Sequence, residues 1–228
     1  MTTMSTSTKP SPLLLTAALL LAVGAVLGLT VPMSTAIEPE WNREAYRVVF
    51  FHMPLAFAGT VMFIVAAVHA VRYLASRDLK FDTAAAGSAE LGLVLLGLAT
   101  ATGMIFAKTQ WGAWWNWDPR QTSVFFVMLM YAAYLALRAA LPEDESKRAR
   151  LSSAYLLLAV APMVWLVGIF PRTHKVAVAS MHPVKPPLDG VHWRIIMLNF
   201  AGWLLLAAVL RGLQDRAGAA ARRARETY

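Results

Sequence analysis

Residues 48–71, "VVFFHMPLAFAGTVMFIVAAVHAV", run for 24 positions without an Asp, Glu, Lys or Arg. A helix crosses the hydrocarbon core of a bilayer in about 20 apolar residues, so this run reads as a membrane span. Working outward from it, comparable runs occupy 12–31, 84–107, 121–141, 151–170 and 194–213. The expected fold class is an all-α integral membrane protein, a six-transmembrane-helix bundle forming a single membrane domain over residues 1–228. The composition agrees: 58% of the residues are hydrophobic and 15% charged, and the mean hydropathy of +0.52 lies outside the soluble range. The run at 12–31 is longer than the 7–15-residue apolar core of a signal peptide, so it is read as the first span. Gly24 and Gly28 give that span a Gly-x-x-x-Gly pair, a candidate close-contact face.

Six spans leave both termini on one side. The Lys and Arg residues divide thirteen to eight between the two faces. The richer face carries the termini and the segments around 72–80 and 138–150, and the positive-inside rule makes it cytoplasmic. The loops 108–120 and 171–193 then face outside. The net charge of +8 is read as this orientation signal and not as a nucleic-acid surface. The absence of cysteine excludes disulfides, iron–sulfur clusters and a thioether-linked haem site on this chain. No phosphate-binding loop of the Gly-x-x-x-x-Gly-Lys-Ser/Thr kind is present, so the chain carries no recognisable ATPase motor.

The segment "WGAWWNWDPR" at 111–120 holds four of the eight tryptophans. Indoles favour the membrane boundary, and a belt is the plain reading of any one of them. Four within seven positions is too concentrated for a belt, which is dispersed over all helix ends. If the segment is helical, Trp111, Trp114 and Trp115 share a face as an aromatic shelf with Asp118 below, and Trp117 points elsewhere. Asp118, Pro119 and Gln121 read as the N-cap, first position and N3 residue of the fourth helix. Arg120 then sits in the first turn, where the helix dipole disfavours a cation. That placement suggests an anionic partner, with Glu38, Glu40 and Glu44 as the plain candidates within the protein.

His52 lies about 6 Å inside the external end of the second span at 1.5 Å per residue. An ionisable ring at that depth marks a functional site by default, against the plainer reading of an interhelical hydrogen bond. Pro54 beside it is expected to kink the helix and open room. His174, His182 and His192 share the long external loop, where Pro183, Pro186 and Pro187 stiffen the chain around His182; spacing alone does not rank the three. His69, near the cytoplasmic end, reads as a packing residue. Two external histidines, clustered indoles and external cations together match what a haem requires: axial ligands, a flat apolar surface and counter-charge for two propionates. Arg120, Lys108, Arg172 and Lys175 are the cations on that side.

The Trp-Gly-x-Trp-Trp-x-Trp-Asp pattern resembles the tryptophan-rich signature of the haem-handling superfamily of cytochrome c biogenesis. The six spans, "YRVVFFHMPLAF" ahead of the motif and one histidine-bearing loop after it resemble the C-protein branch of cytochrome c maturation over essentially the whole chain. The resemblance implies a six-helix bundle with an external haem site, His52 and His182 as axial ligands of the haem iron, and Trp111, Trp114, Trp115, Trp117, Asp118 and Arg120 as cofactor-binding residues. It also implies a non-enzymatic subunit of the bacterial inner membrane that holds haem b non-covalently and transiently. Delivery would be to a periplasmic haem chaperone, in a complex with the ATP-binding and membrane subunits of an ABC transporter and a small single-span protein. A haem lyase or synthase shares the tryptophan signature but carries a second histidine pair within the bilayer, where this chain offers only His69. A structural subunit with an aromatic belt is the third reading.

Overall fold

The computed structural model describes residues 11–39, 42–141, 144–183 and 185–226, with side chains described through residue 220. Lys9 and Glu40, and the side chains of Arg222, Arg223 and Arg225 that entered the charge count, lie outside what is described. Among the described residues there are six helices long and apolar enough to cross a membrane. They are built on α1 (Pro12–Thr30), α2 (Val49–Ser76), α3 (Leu79–Trp111), α4 (Pro119–Ala140), α5 (Glu145–Val164) and α7 (Gly190–Glu226), with a short α6 (His174–Ala179) before the last. A 3-10 turn, Ala45–Val48, leads into α2, and α5 continues through a π turn, Trp165–Ile169, and a 3-10 turn, Phe170–Arg172.

Local chemistry sets the helix starts. Ser11 accepts from the Leu14 amide at 3.1 Å with Pro12 at the first position of α1. Asp78 caps α3 through the Lys80 amide, Asp118 caps α4 through Arg120, and Asp144 caps α5 through Lys147. Each side-chain oxygen satisfies an amide that the helix geometry leaves without a partner.

α2 and α3 form the centre of the bundle. They cross closely at Gly59 and Gly92: a Cβ on Gly59 would lie 3.1 Å from the Leu96 nitrogen and 3.2 Å from the Gly92 oxygen. Around that crossing the core is filled by Phe63, Leu96, Tyr131, Tyr134, Leu156 and Met163, all buried. The Phe63 and Tyr131 rings stack with centroids 3.5 Å apart. α1 is the outer helix and packs along α7. Its Gly24 and Gly28 are indeed contact positions, Gly24 against Asn199 of α7 and Gly28 against the Phe50 ring of α2.

Pro54 does not break α2. It lacks the amide that would reach the Phe50 carbonyl four residues back, and Asn199 Nδ2 donates to that carbonyl instead, at 3.1 Å. One amide side chain thereby repairs the proline defect and pins α7 to α2. At the end of the bundle that carries the α3–α4 and α5–α7 connections, His192 ties α7 to α1: its Nε2 donates to the Pro32 carbonyl at 3.0 Å and its Nδ1 accepts from the Asp189 amide at 3.1 Å. At the opposite end, Arg138 of α4 grips Asp82 of α3 through two hydrogen bonds of 2.7 and 2.6 Å.

The tryptophan segment is helical only at its start. α3 runs through Trp111 and stops at Gly112, whose φ of +80° is a left-handed terminus that glycine adopts without steric cost. Residues 108–111, expected in the loop, are therefore the last turn of α3, and Trp114 and Trp115 do not share a helical face with Trp111. Trp117, at φ +54°, takes up the left-handed conformation that a bulky residue adopts only under constraint. It turns the chain so that Asp118 can start α4.

Candidate functional site

A cavity of about 1320 Å³, counted out to its mouth, lies between α2, α3, α4 and the irregular end of α5. His52, Trp115, Arg120, Arg172 and His182 line it, with Met53, Phe57, Leu96, Met104 and Leu166 among its apolar walls. Deeper in, Thr60 and Thr100 turn their hydroxyls back onto the Ala56 and Leu96 carbonyls, so the wall stays apolar. Ligand pockets are typically apolar with a few convergent polar groups.

The two histidines reach the cavity from different elements and are oriented in the same way. His52 Nδ1 lies 2.8 Å from the Ala99 carbonyl of α3. His182 Nδ1 lies 2.7 Å from Asp118 Oδ1. A carbonyl and a carboxylate can only accept, so each Nδ1 carries the proton and each Nε2 keeps its lone pair in the neutral ring. Fixing one ring nitrogen on an oxygen acceptor is how proteins prepare the other for a metal.

Asp118 does more than cap α4. Its Oδ2 also accepts from Ser180 Oγ at 2.8 Å and from the Met181 amide at 2.6 Å, so one buried carboxylate anchors three consecutive residues of the α6–α7 connection. Burial alone would push this carboxyl up; the hydrogen bonds from His182, Ser180 and the Arg120 amide oppose it, and the group is held below its ordinary value. Trp111 completes the mount, its ring meeting His182 edge to face at 4.7 Å.

The remaining sequence candidates fall at different places. Trp115 lines the cavity, whereas Trp114 and Trp117 are 53% and 67% exposed on the outside of the connection. Trp117 packs edge-on against Trp115 at 5.8 Å. Among the cations, Lys108 caps α3 through the Gly112 carbonyl, Lys175 is exposed, and Arg120 and Arg172 reach the cavity. Glu38 pairs with Arg43 and Glu44 with Arg47, so neither is the partner expected for Arg120. Its Nε is buried with no hydrogen-bond partner. A buried guanidinium nitrogen left bare is costly, and an incoming anion would satisfy it.

His174 is exposed at the start of α6 and His192 has both ring nitrogens engaged, so among the three loop histidines the structure brings His182 to the cavity. His69 lies at the opposite end of the bundle, stacked on Phe81. Three features of the site had no sequence signal: the Ala99 acceptor, the Ser180 hydroxyl, and Gly103, which faces the His52 ring. The Gly112 stop, by contrast, was readable as a glycine directly after an apolar helix.

Fold and site together define a multi-pass membrane protein with an apolar cavity at one end, furnished with two imidazoles tied at Nδ1 and a guanidinium whose buried Nε has no hydrogen-bond partner. The family model described as "Heme exporter protein C" matches residues 1–227, and the chain belongs to that family. Among similar curated proteins, the heme exporter protein C of Rhodobacter capsulatus is 28% identical over 197 residues, covering 83% of this chain and 78% of that protein. The Escherichia coli protein of the same name is 27% identical over 204 residues, covering 86% and 81%. A cytochrome c biogenesis protein CcsA of Prochlorococcus marinus is 46% identical over 63 residues, covering 28% of this chain and 20% of its own. The chain is thus a membrane protein of haem handling in cytochrome c biogenesis.

Proposed function

We propose that the chain binds haem b non-covalently and transiently between His52 and His182, on the extracytoplasmic face of the bacterial inner membrane, and delivers it to a periplasmic haem chaperone. The observation that carries this reading is the pair of imidazoles, each tied at Nδ1 and free at Nε2, on one cavity that also holds the bare Arg120 Nε. Haem is here the cargo. Its iron takes two neutral imidazoles, its ring takes the apolar walls and Trp115, and its propionates take Arg120 and Arg172. Trp114 and Trp117, exposed beside the cavity mouth, present an aromatic edge at which haem is handed on.

The absence of cysteine keeps haem exchangeable, which suits a delivery role. The ATP-binding and membrane subunits of an ABC transporter and a small single-span protein are the partners of this reading, since the chain has no phosphate loop of its own. A haem lyase would need a second ligand pair; His69 stands alone at the opposite end and His192 is committed to Pro32 and Asp189. The test is transfer. Haem-loaded protein mixed with the purified chaperone passes its haem on, and mixed with apocytochrome alone yields no thioether product; a covalent cytochrome product would overturn the delivery role in favour of a lyase.

A further inference from the structure

Gly103 sits one turn along α3 from Ala99, the residue whose carbonyl holds His52. A Cβ at Gly103 would lie 2.8 Å from His52 Cε1, 3.1 Å from Nδ1 and 3.7 Å from Nε2. All three nearest atoms belong to that one ring. The other glycines of α3 have other surroundings: Gly87 lies against the Arg211 and Gln214 side chains, Gly92 lets α2 and α3 cross, and Gly97 would meet nothing within 4 Å. Glycine inside a helix costs stability relative to alanine, so a glycine whose three nearest neighbouring atoms all belong to the His52 imidazole points to that imidazole as the reason. The ring is rigid and tied to Ala99 on one side, and it has no flexible end with which to make way for a methyl group.

We infer that Gly103 is a positioning residue: with Ala99 it forms a seat in the groove of α3 that sets the tilt of the His52 ring and aims Nε2 into the cavity. The inference rests on His52 being a haem ligand. In Gly103→Ala the methyl lifts the ring off its seat, breaks the Nδ1 bond to Ala99 and turns Nε2 away from the line on which it meets the iron. Loss of such a supporting contact weakens a metal site about 10–100-fold.

The test is ferric haem titration of the purified full chain, followed by visible spectroscopy. Wild type and Gly97→Ala give the same six-coordinate low-spin spectrum, and Gly103→Ala gives a mainly five-coordinate spectrum with about 10–100-fold weaker binding. An unchanged spectrum and affinity in Gly103→Ala overturns the seat. A wild-type protein with no six-coordinate spectrum removes the haem reading itself, and the seat with it. Should Gly103→Ala not accumulate, the comparison moves to His52→Gly with and without Gly103→Ala, where the ring that the methyl would strike is gone. Free imidazole restores six-coordination in His52→Gly, and does so about 10-fold more weakly when Gly103→Ala is added; equal restoration overturns the seat.

Discussion

Asp118 joins two parts of the chain that are 64 positions apart at His182. As an N-cap it was readable in "DPRQ", because capping is local. Its grip on Ser180, Met181 and His182 was not, because nothing in a sequence of loop residues says which carboxylate the fold will bring to them. The ionised carboxylate is the state that holds the loop. Its pKa is depressed in the folded protein, so the unfolded chain takes up the proton first as pH falls. The stabilisation is complete above the unfolded value of about 3.9 and is lost as pH drops through the lower folded value. Asp118→Asn keeps a capping oxygen but removes the charge. Thermal unfolding in detergent is expected to show the wild type losing stability below about pH 4 more steeply than Asp118→Asn, with haem binding weakened about 10–100-fold in the variant. Parallel pH profiles would contradict the account.

At the scale of elements, the hydropathy pattern made all six spanning helices legible, because a bilayer imposes length and apolarity on each one independently. What it concealed were the repairs between helices. Pro54 announced a defect in α2; that Asn199 of α7 would mend it depends on packing that neither helix encodes alone. Replacing Asn199 with Leu leaves the Phe50 carbonyl buried without a donor and is expected to cost about 1–3 kcal/mol. Pro54→Ala restores the helical amide, so the double variant should be markedly less destabilised than Asn199→Leu, as measured by denaturant unfolding. Strict additivity of the two substitutions would show that the carbonyl is not shared between them. The tryptophan shelf failed at this same scale. A helical face joining Trp111, Trp114 and Trp115 requires α3 to continue, and Gly112 ends it. The indoles consequently divide, with Trp111 behind His182, Trp115 in the cavity, and Trp114 and Trp117 outside.

For the whole molecule, the bundle places the two histidines at the end that carries the α3–α4 and α5–α7 connections, and the Asp82–Arg138 pair at the other. The proposed function puts the histidine end outside, the side expected from the charge bias. A chain without cysteine allows single reporters: Val178→Cys, at a site 75% exposed, should react with a membrane-impermeant maleimide in intact cells, and Ser146→Cys only after the membrane is opened. The reverse pattern would invert the topology and with it the side of delivery. The central claim is that His52 and His182 together hold a haem, and the visible spectrum of the purified protein tests it most directly. A six-coordinate low-spin ferric haem is expected in the wild type, and its loss in the His52→Ala, His182→Ala double variant. A double variant that kept the wild-type spectrum would contradict the claim.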